Sequence, residues 1–481
     1  MLANPHCANQ TLGARLPLQL HMNAFRVCLC LTLVVCSVWL YAPALAQNAF
    51  TDYDDIRHVL AYLTDILPTE FKSPDLSASR DVWPHWVSAH DRDIRARLQR
   101  GDEDTIVNWL LFGTSFTQQP MALFEISVTS DSWRGVISQR ARDLISVLAA
   151  ADKNDRSVFA SQVLQSQGYR FDTAKERARL ESHLQAQVER VLAERQEYRL
   201  REDGFPTGDV IGQVMVESTL FRDRGVSLDT SILSSFAVDQ ALETMKSQQL
   251  LMPHSVRRVA VIGPGLDFAD KNSGYDFYPV QTMQPFTTID SLVRLGLAAE
   301  PAQIELTALD ISPRVNDHIN AFRDRAKTGN PYVLRLPTDL GSRWTPALVS
   351  YWKSIGNRIG SETPISKPPD RIRGIDFRGI AVRPQIAAGV TPVDFNVVTE
   401  NWQGPQFDLI IATNVFVYYD RLDQALAFAG IEAMLRPGGF FITNNVIVEL
   451  PVSRLRSVGL MKVQHSAEKI DHVFWYRRNQ G

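Results

Sequence analysis

Residues 259–271 read VAVIGPGLDFADK. A run of β-formers breaks into Gly263-Pro264-Gly265, and Asp267 and Asp270 follow. Glycines at a strand end let the chain reverse sharply and bring backbone N–H groups close to a ligand. Three later stretches carry polar residues in matching places. Asp310 ends LTALD, Glu400-Asn401-Trp402 follows FNVV, and Thr413-Asn414 follows FDLIIA, with Tyr418 and Tyr419 close behind. In open α/β sheets ligands sit at the carboxyl ends of the strands. A carboxylate at the second tip can accept both hydrogen bonds of a ribose diol. Singly, each has a plainer reading: a simple turn for the glycines, a helix cap for Asp310, a turn residue for Asn414. Their shared order points to one crevice.

Several chemistries are excluded by spacing. A dinucleotide site wants G-x-G-x-x-G and an acid about 20 residues on. Phe268 holds the third-glycine position, Asp310 is too distant, and Asp290 falls in a helical stretch. No G-K-[ST] follows, so this is not a P-loop. His85 and His90 miss the i, i+4 spacing and no H-E-x-x-H occurs, so no metal site is expected and both read as satisfied histidines. Trp83, Trp86 and Trp109 read as core.

The elements that must position these residues follow from periodicity. From about residue 236 strand-like runs alternate with helical ones, which predicts an α/β fold with a mostly parallel sheet. The tail, GLMKVQ and HVFWYRR, predicts an antiparallel hairpin at one edge. Residues 50–245 read mainly as helices. YDDIRHVLAYLTDIL carries Ile56, Val59, Leu60, Leu63, Ile66 and Leu67 on one face. We therefore expect a leader over 1–46, a mostly helical N-terminal domain over 47–235 and a sheet domain over 236–481. An insertion over 325–395, rich in Pro, Gly and Arg, is expected to cover the pocket or build an acceptor site.

The motifs VAVIGPGLD, ALDIS, VDFNVVTENW, FDLIIATNVFVYYD and LRPGGFFI resemble those of the class I S-adenosylmethionine-dependent methyltransferases. The resemblance spans about 236–481, and its last three motifs are most similar to the chemoreceptor-glutamate methyltransferase branch. It implies a Rossmann-like methyltransferase sheet and S-adenosyl-L-methionine as cofactor. By that resemblance Gly263 and Gly265, with Asp267 after them, back the methionine part of the cofactor. Asp310 holds the ribose hydroxyls and Asn401 lies near the adenine. Thr413 and Asn414 face the transferred methyl group, and Asn414 and Tyr418 are the catalytic candidates. The chain departs from the pattern in having Val261 where an acid is frequent and Asp267 where a third glycine is usual. The helical N-terminal region does not resemble the chemoreceptor enzymes, so their acceptor is not carried over.

Methyl transfer from a sulfonium is an in-line displacement that depends on alignment. A carboxylate acceptor needs no general base, whereas a hydroxyl or amine can require one. Tyr418, Tyr419 and His318 stand near the strand ends. The plainer readings are an aromatic wall for the tyrosines and an exposed helix face for His318.

The start of the chain has a character of its own. Arg26 precedes the apolar run VCLCLTLVVCSVWLYAP, and Ala44-Leu45-Ala46 precedes Gln47. That three-part pattern is a secretory signal peptide. It predicts a periplasmic or secreted protein beginning at Gln47, or one anchored in a membrane by residues 27–46. Cys7, Cys28, Cys30 and Cys36 all lie in this leader. The remaining chain then has no disulfide framework, thiolate metal site or cysteine nucleophile. Net charge is −3 over 481 residues, which argues against a generic nucleic-acid partner. Membrane contact is expected only through a retained leader. Because the cofactor is made in the cytosol, a second reading stands beside methyl transfer to an unidentified acceptor. It is a noncatalytic, exported binding or scaffold module that keeps the fold.

Overall fold

The computed structural model describes residues 49–72, 76–119, 132–150, 153–203, 221, 224–269, 276–339, 344–369, 376–447, 449–467 and 469–480. The expected leader with its cysteines, the cleavage point at Gln47, Asp270 and parts of the 325–395 insertion lie outside these residues.

The described chain opens with β1 (Ala49–Phe50), α1 (Tyr53–Leu60), α2 (Leu76–Phe112), α3 (Ser132–Ala149), α4 (Asp155–Ser166) and α5 (Ala174–Asp203). Then come α6 (Leu233–Ser247), β2 (Arg258–Ile262), α7 (Gln284–Arg294), β3 (Glu305–Asp310) and α8 (Pro313–Lys327). The inserted stretch gives β4 (Tyr332–Asp339), α9 (Pro346–Ser354), β5 (Gly360–Thr363) and β6 (Asp376–Val382). The chain continues through α10 (Pro384–Gly389), β7 (Thr391–Asp394), β8 (Glu400–Asn401), β9 (Phe407–Ala412) and α11 (Arg421–Met434). It closes with β10 (Leu435–Thr443), β11 (Leu455–Gln464) and β12 (Ile470–Arg478).

The main sheet has seven strands in the order β11-β12-β10-β9-β2-β3-β7. β10, β9, β2, β3 and β7 run parallel, and β12 is antiparallel to both β10 and β11. This is the Rossmann-like methyltransferase sheet with a C-terminal hairpin that the sequence leads one to expect. Its register aligns the tips that matter: Ile262 stands beside both Leu309 and Ala412, and Asp310 beside Asp394.

A parallel sheet must be covered on both faces, so its central strands read as continuous apolar runs. β2 shows the consequence. Val259 and Val261 enter one hydrophobic cluster, together with Phe236 of α6, Phe286 of α7 and Ile319 of α8. Ala260 and Ile262 enter the other, with Phe428 of α11. In that second cluster stand Ile56 and Val59 of α1 and Trp83, Val87 and Ile94 of α2. No helix lies between β7 and β9, and the N-terminal arm fills the place beside Phe395, Val397 and Val398. α1 and the first part of α2 thus help to finish one face of the sheet, while α3, α4 and α5 join the other cluster through Leu144, Phe159 and Leu184. Asn48–Gly481 form one compact unit, and the boundary expected at 235/236 falls inside α6.

The expected third strand is shorter than its apolar run. β7 stops at Asp394, and residues 395–399 turn around the fully buried Asn396. The Asn396 Nδ2 donates to Asp91 Oδ1 of α2 at 2.8 Å, and its Oδ1 accepts the Val398 N–H at 3.1 Å. The inserted strands form a separate antiparallel sheet, β4-β6-β5. They bury Leu334, Leu336, Ile380 and Val382 against Trp352 of α9. Trp83 and Trp109 are core, as expected, and His90 is satisfied by Asp423 at 2.6 Å. Among the described residues no helix is long and apolar enough to cross a membrane. Nor do three or more His, Cys, Asp or Glu side chains gather there as metal ligands.

Candidate functional site

A cleft with an empty volume of about 590 Å³, mouth included, opens over the tips of β2, β3 and β9. Its floor is the glycine turn. Gly263 (φ 62°) and Gly265 (φ 59°) both adopt the left-handed region, where a Cβ is strained. Packing forbids one as well. A Cβ on Gly263 would stand 2.7 Å from Val415 Cγ2, and one on Gly265 would stand 2.8 Å from the Leu228 carbonyl oxygen.

That carbonyl belongs to a strap, Val226–Thr230, which crosses the turn just before α6. Leu266 donates its N–H to Leu228 O at 2.8 Å, and Thr230 donates its N–H to Leu266 O at 3.0 Å. α2 holds the strap from behind. Val226 N–H donates to Arg97 O at 3.2 Å, the Ser227 and Thr105 hydroxyls meet at 2.8 Å, and Arg97 donates to Tyr418 O at 2.7 Å.

Asp310 ends β3 and is 8 % exposed. Its Oδ1 accepts the Ser312 N–H at 2.8 Å, and the Gly265 N–H also bonds the carboxyl. Burial pushes this carboxyl up to about 7, against the pull of those two N–H groups, and the neighbouring Asp394 pushes it the same way. The second-strand acid and the glycine turn are therefore joined directly.

Thr413 and Asn414 follow β9 into the cleft. The Thr413 hydroxyl accepts from Gln284 Nε2 at 2.8 Å. Asn414 has φ 59° and is clamped on three sides. Its N–H donates to Asn444 Oδ1 at 2.8 Å, its Oδ1 accepts from Asn444 Nδ2 at 2.7 Å, and its Nδ2 donates to Ser234 Oγ at 3.0 Å. Tyr418 and Tyr419 also line the cleft. Burial raises both phenols above their ordinary range, and the Tyr418 oxygen accepts the Ser227 N–H. Both stay protonated at neutral pH, so they can donate a hydrogen bond but are poorly suited to take up a proton.

The structure brings together Gly263, Gly265, Asp310, Thr413, Asn414 and Tyr418. Asp267 and Asn401 are not among the lining residues. The Asp267 carboxylate accepts from Tyr278 Oη at 3.0 Å and Gln281 Nε2 at 3.1 Å. Asn401 lies in β8, where it pairs with Ala49 and donates to Asp55 Oδ2 at 3.3 Å. His318 also stands apart, against Tyr332 Oη at 3.0 Å, where burial pushes it down to about 4. Sequence reasoning missed Ser227, Asp229 and Thr230 of the strap, along with Phe395 and Val397. The sole hint was polar residues in the GVSLDTS stretch just before the first sheet-domain helix. Among the described residues the insertion reaches the cleft through Phe395 alone, its last residue, and the strap and β-strand tips supply the rest of the lining.

No family model matches the chain, and no curated protein does. Among solved structures the chain is similar to the N-methyltransferase NodS from Bradyrhizobium japonicum WM9. The identity is 13 %, over 50 % of this chain and 97 % of that one, with a TM-score of 0.25. A second is the magnesium protoporphyrin IX methyltransferase ChlM from Synechocystis PCC 6803, at 9 % identity, 69 % and 100 % coverage and a TM-score of 0.24. A third is a TehB-like SAM-dependent methyltransferase from Corynebacterium glutamicum ATCC 13032 Kitasato, at 10 % identity, 52 % and 99 % coverage and a TM-score of 0.24. The fold class rests on the strand order: the chain carries a class I methyltransferase-type sheet.

Proposed function

We propose that the chain binds S-adenosyl-L-methionine in the cleft and transfers its methyl group to an acceptor. The observation that carries this reading is the buried Asp310 carboxyl, bonded to the Gly265 N–H and sharing one cleft with Thr413 and Asn414. The residues fit such a group. Asp310 offers a carboxylate to a ribose diol, the glycine turn admits backbone approach, and Ile262, Leu309 and Ile311 give apolar walls. When bound, the cofactor supplies an electrophilic methyl group on a sulfonium. The chain's own part is placement. Asp310 fixes one end of the ligand, Asn444 and Ser234 hold Asn414 rigid, and the strap and Tyr419 exclude water. With both tyrosines protonated, the cleft best suits an acceptor that arrives as its own nucleophile, such as a carboxylate.

Calorimetric titration tests the reading. The purified protein should bind S-adenosylmethionine and its demethylated product, and NAD should give little heat because Phe268 replaces the third glycine. Gly265→Val should abolish binding, since its Cβ would meet the strap backbone at 2.8 Å. A wild-type protein that binds neither compound would reject the reading. Binding without transfer to any acceptor tried would favour the noncatalytic module.

A further inference from the structure

The cleft has charged residues of one sign. Among its described lining residues stand Asp229 and Asp310, with no Lys, Arg or His. The two carboxylates come from different elements. Asp310 ends β3 and bonds the turn at Gly265. Asp229 comes from the strap, where it forms a parallel bridge with Leu266, one residue past the turn. The strap sets Asp229 beside the end of the glycine turn and Asp310 bonds the turn itself, so both acids border it in one cleft.

We infer that Asp229 is the recognition residue for the ammonium end of the cofactor, an assignment that rests on the proposed function. With the ribose held at Asp310, the amino-acid arm of the ligand must extend over the glycine turn towards β9. A primary ammonium there needs an acceptor, and the strap delivers a carboxylate 7 % exposed. Its position is fixed. The Asp229 N–H donates to Ser227 Oγ at 3.1 Å, and Asn108 Nδ2 of α2 approaches its Oδ2 at 3.4 Å. A carboxylate offers about four acceptor sites, so one group can serve both a side-chain amide and an ammonium. Charge-assisted bonds of this kind form best where water is excluded. The helical arm thereby contributes to ligand specificity.

Two probes separate the ends of the ligand. S-adenosylhomocysteine has the amino-acid arm, and 5′-methylthioadenosine lacks it but keeps the nucleoside. We expect Asp229→Asn in the full chain to weaken S-adenosylhomocysteine roughly ten- to a hundredfold. Binding of 5′-methylthioadenosine should change by less than about twofold, within the error of calorimetry. An unchanged nucleoside affinity also serves as the folding control. Equal weakening of both ligands, or of neither, would overturn the assignment while leaving the proposed function standing. A wild-type protein that binds neither probe would overturn both.

Discussion

Asp310 makes the site sensitive to pH, and the sign can be worked out. Its carboxyl titrates near 7 in the folded chain against about 3.9 in an unfolded one. The folded state therefore holds an extra proton between those values. Without ligand, stability should fall as pH rises through that window, by up to about 4 kcal/mol in total. Asp310→Asn should flatten this dependence in denaturant titrations across the window. A slope that the substitution leaves unchanged would assign the dependence to other groups. The effect on ligand is opposite. A ribose diol donates to the ionised form, so affinity for S-adenosylhomocysteine should drop about tenfold per pH unit below about 7. Binding at pH 6 should release a proton, visible as heats that depend on the buffer. A flat affinity profile between pH 5.5 and 8 would contradict the role given to Asp310.

At the scale of elements, the strap is the feature on which the cleft depends. It can lie this close to α2 because two glycines touch. A Cβ on Gly101 would come within 1.8 Å of Val226 O, and one on Gly225 within 2.0 Å of Gly101 N. Both obstacles are backbone atoms and cannot swing aside. Gly101→Ala should therefore displace the strap and cost about 1–3 kcal/mol of stability, read from the denaturation midpoint. It should weaken ligand binding as well, although residue 101 does not line the cleft. Full affinity with an unshifted midpoint would mean that the strap tolerates movement. The strap was not legible in the sequence, because five residues without periodicity carry no partner information. The strand tips were legible, because Gly263, Asp310 and Asn414 each follow an apolar run that ends where its strand does. Asn401 and Asp267 show the limit of that logic. Phe395, Val397 and Val398 read as strand but bury around a turn, which moves Asn401 onto β1. Asp267 follows the glycine turn in sequence, but its carboxylate is taken by Tyr278 and Gln281.

At the scale of the whole molecule, folding and binding are tied together. Helical periodicity showed that α1 has an apolar side, and Trp83 read as core, but neither told that α1 and α2 cover the sheet. Trp83, Val87 and Ile94 are each 2 % exposed or less, and they cover the sheet beside Phe395 and Val397. Deleting residues 49–112 should therefore leave a protein that does not fold cooperatively, with no protease-resistant fragment starting near 236. A stable 236–481 fragment would show that the sheet closes without the arm. The leader proposed for residues 1–46 ends three residues before β1, so cleavage at Gln47 would leave the β1–β8 pairing intact. Terminal sequencing of the expressed protein checks this, and an unprocessed soluble chain would refute it.

The most direct measurement is the calorimetric dissociation constant of S-adenosylhomocysteine for the wild type, Asp310→Asn and Asp310→Ala at pH 8, where the carboxyl is ionised. Two ribose hydroxyls on one carboxylate contribute roughly 1.5–3 kcal/mol. Asp310→Ala should then weaken binding by about one to two decades, and Asp310→Asn, which keeps one acceptor, by less. Wild-type binding that Asp310→Ala leaves unchanged would place the ligand somewhere other than the tips of β2, β3 and β9.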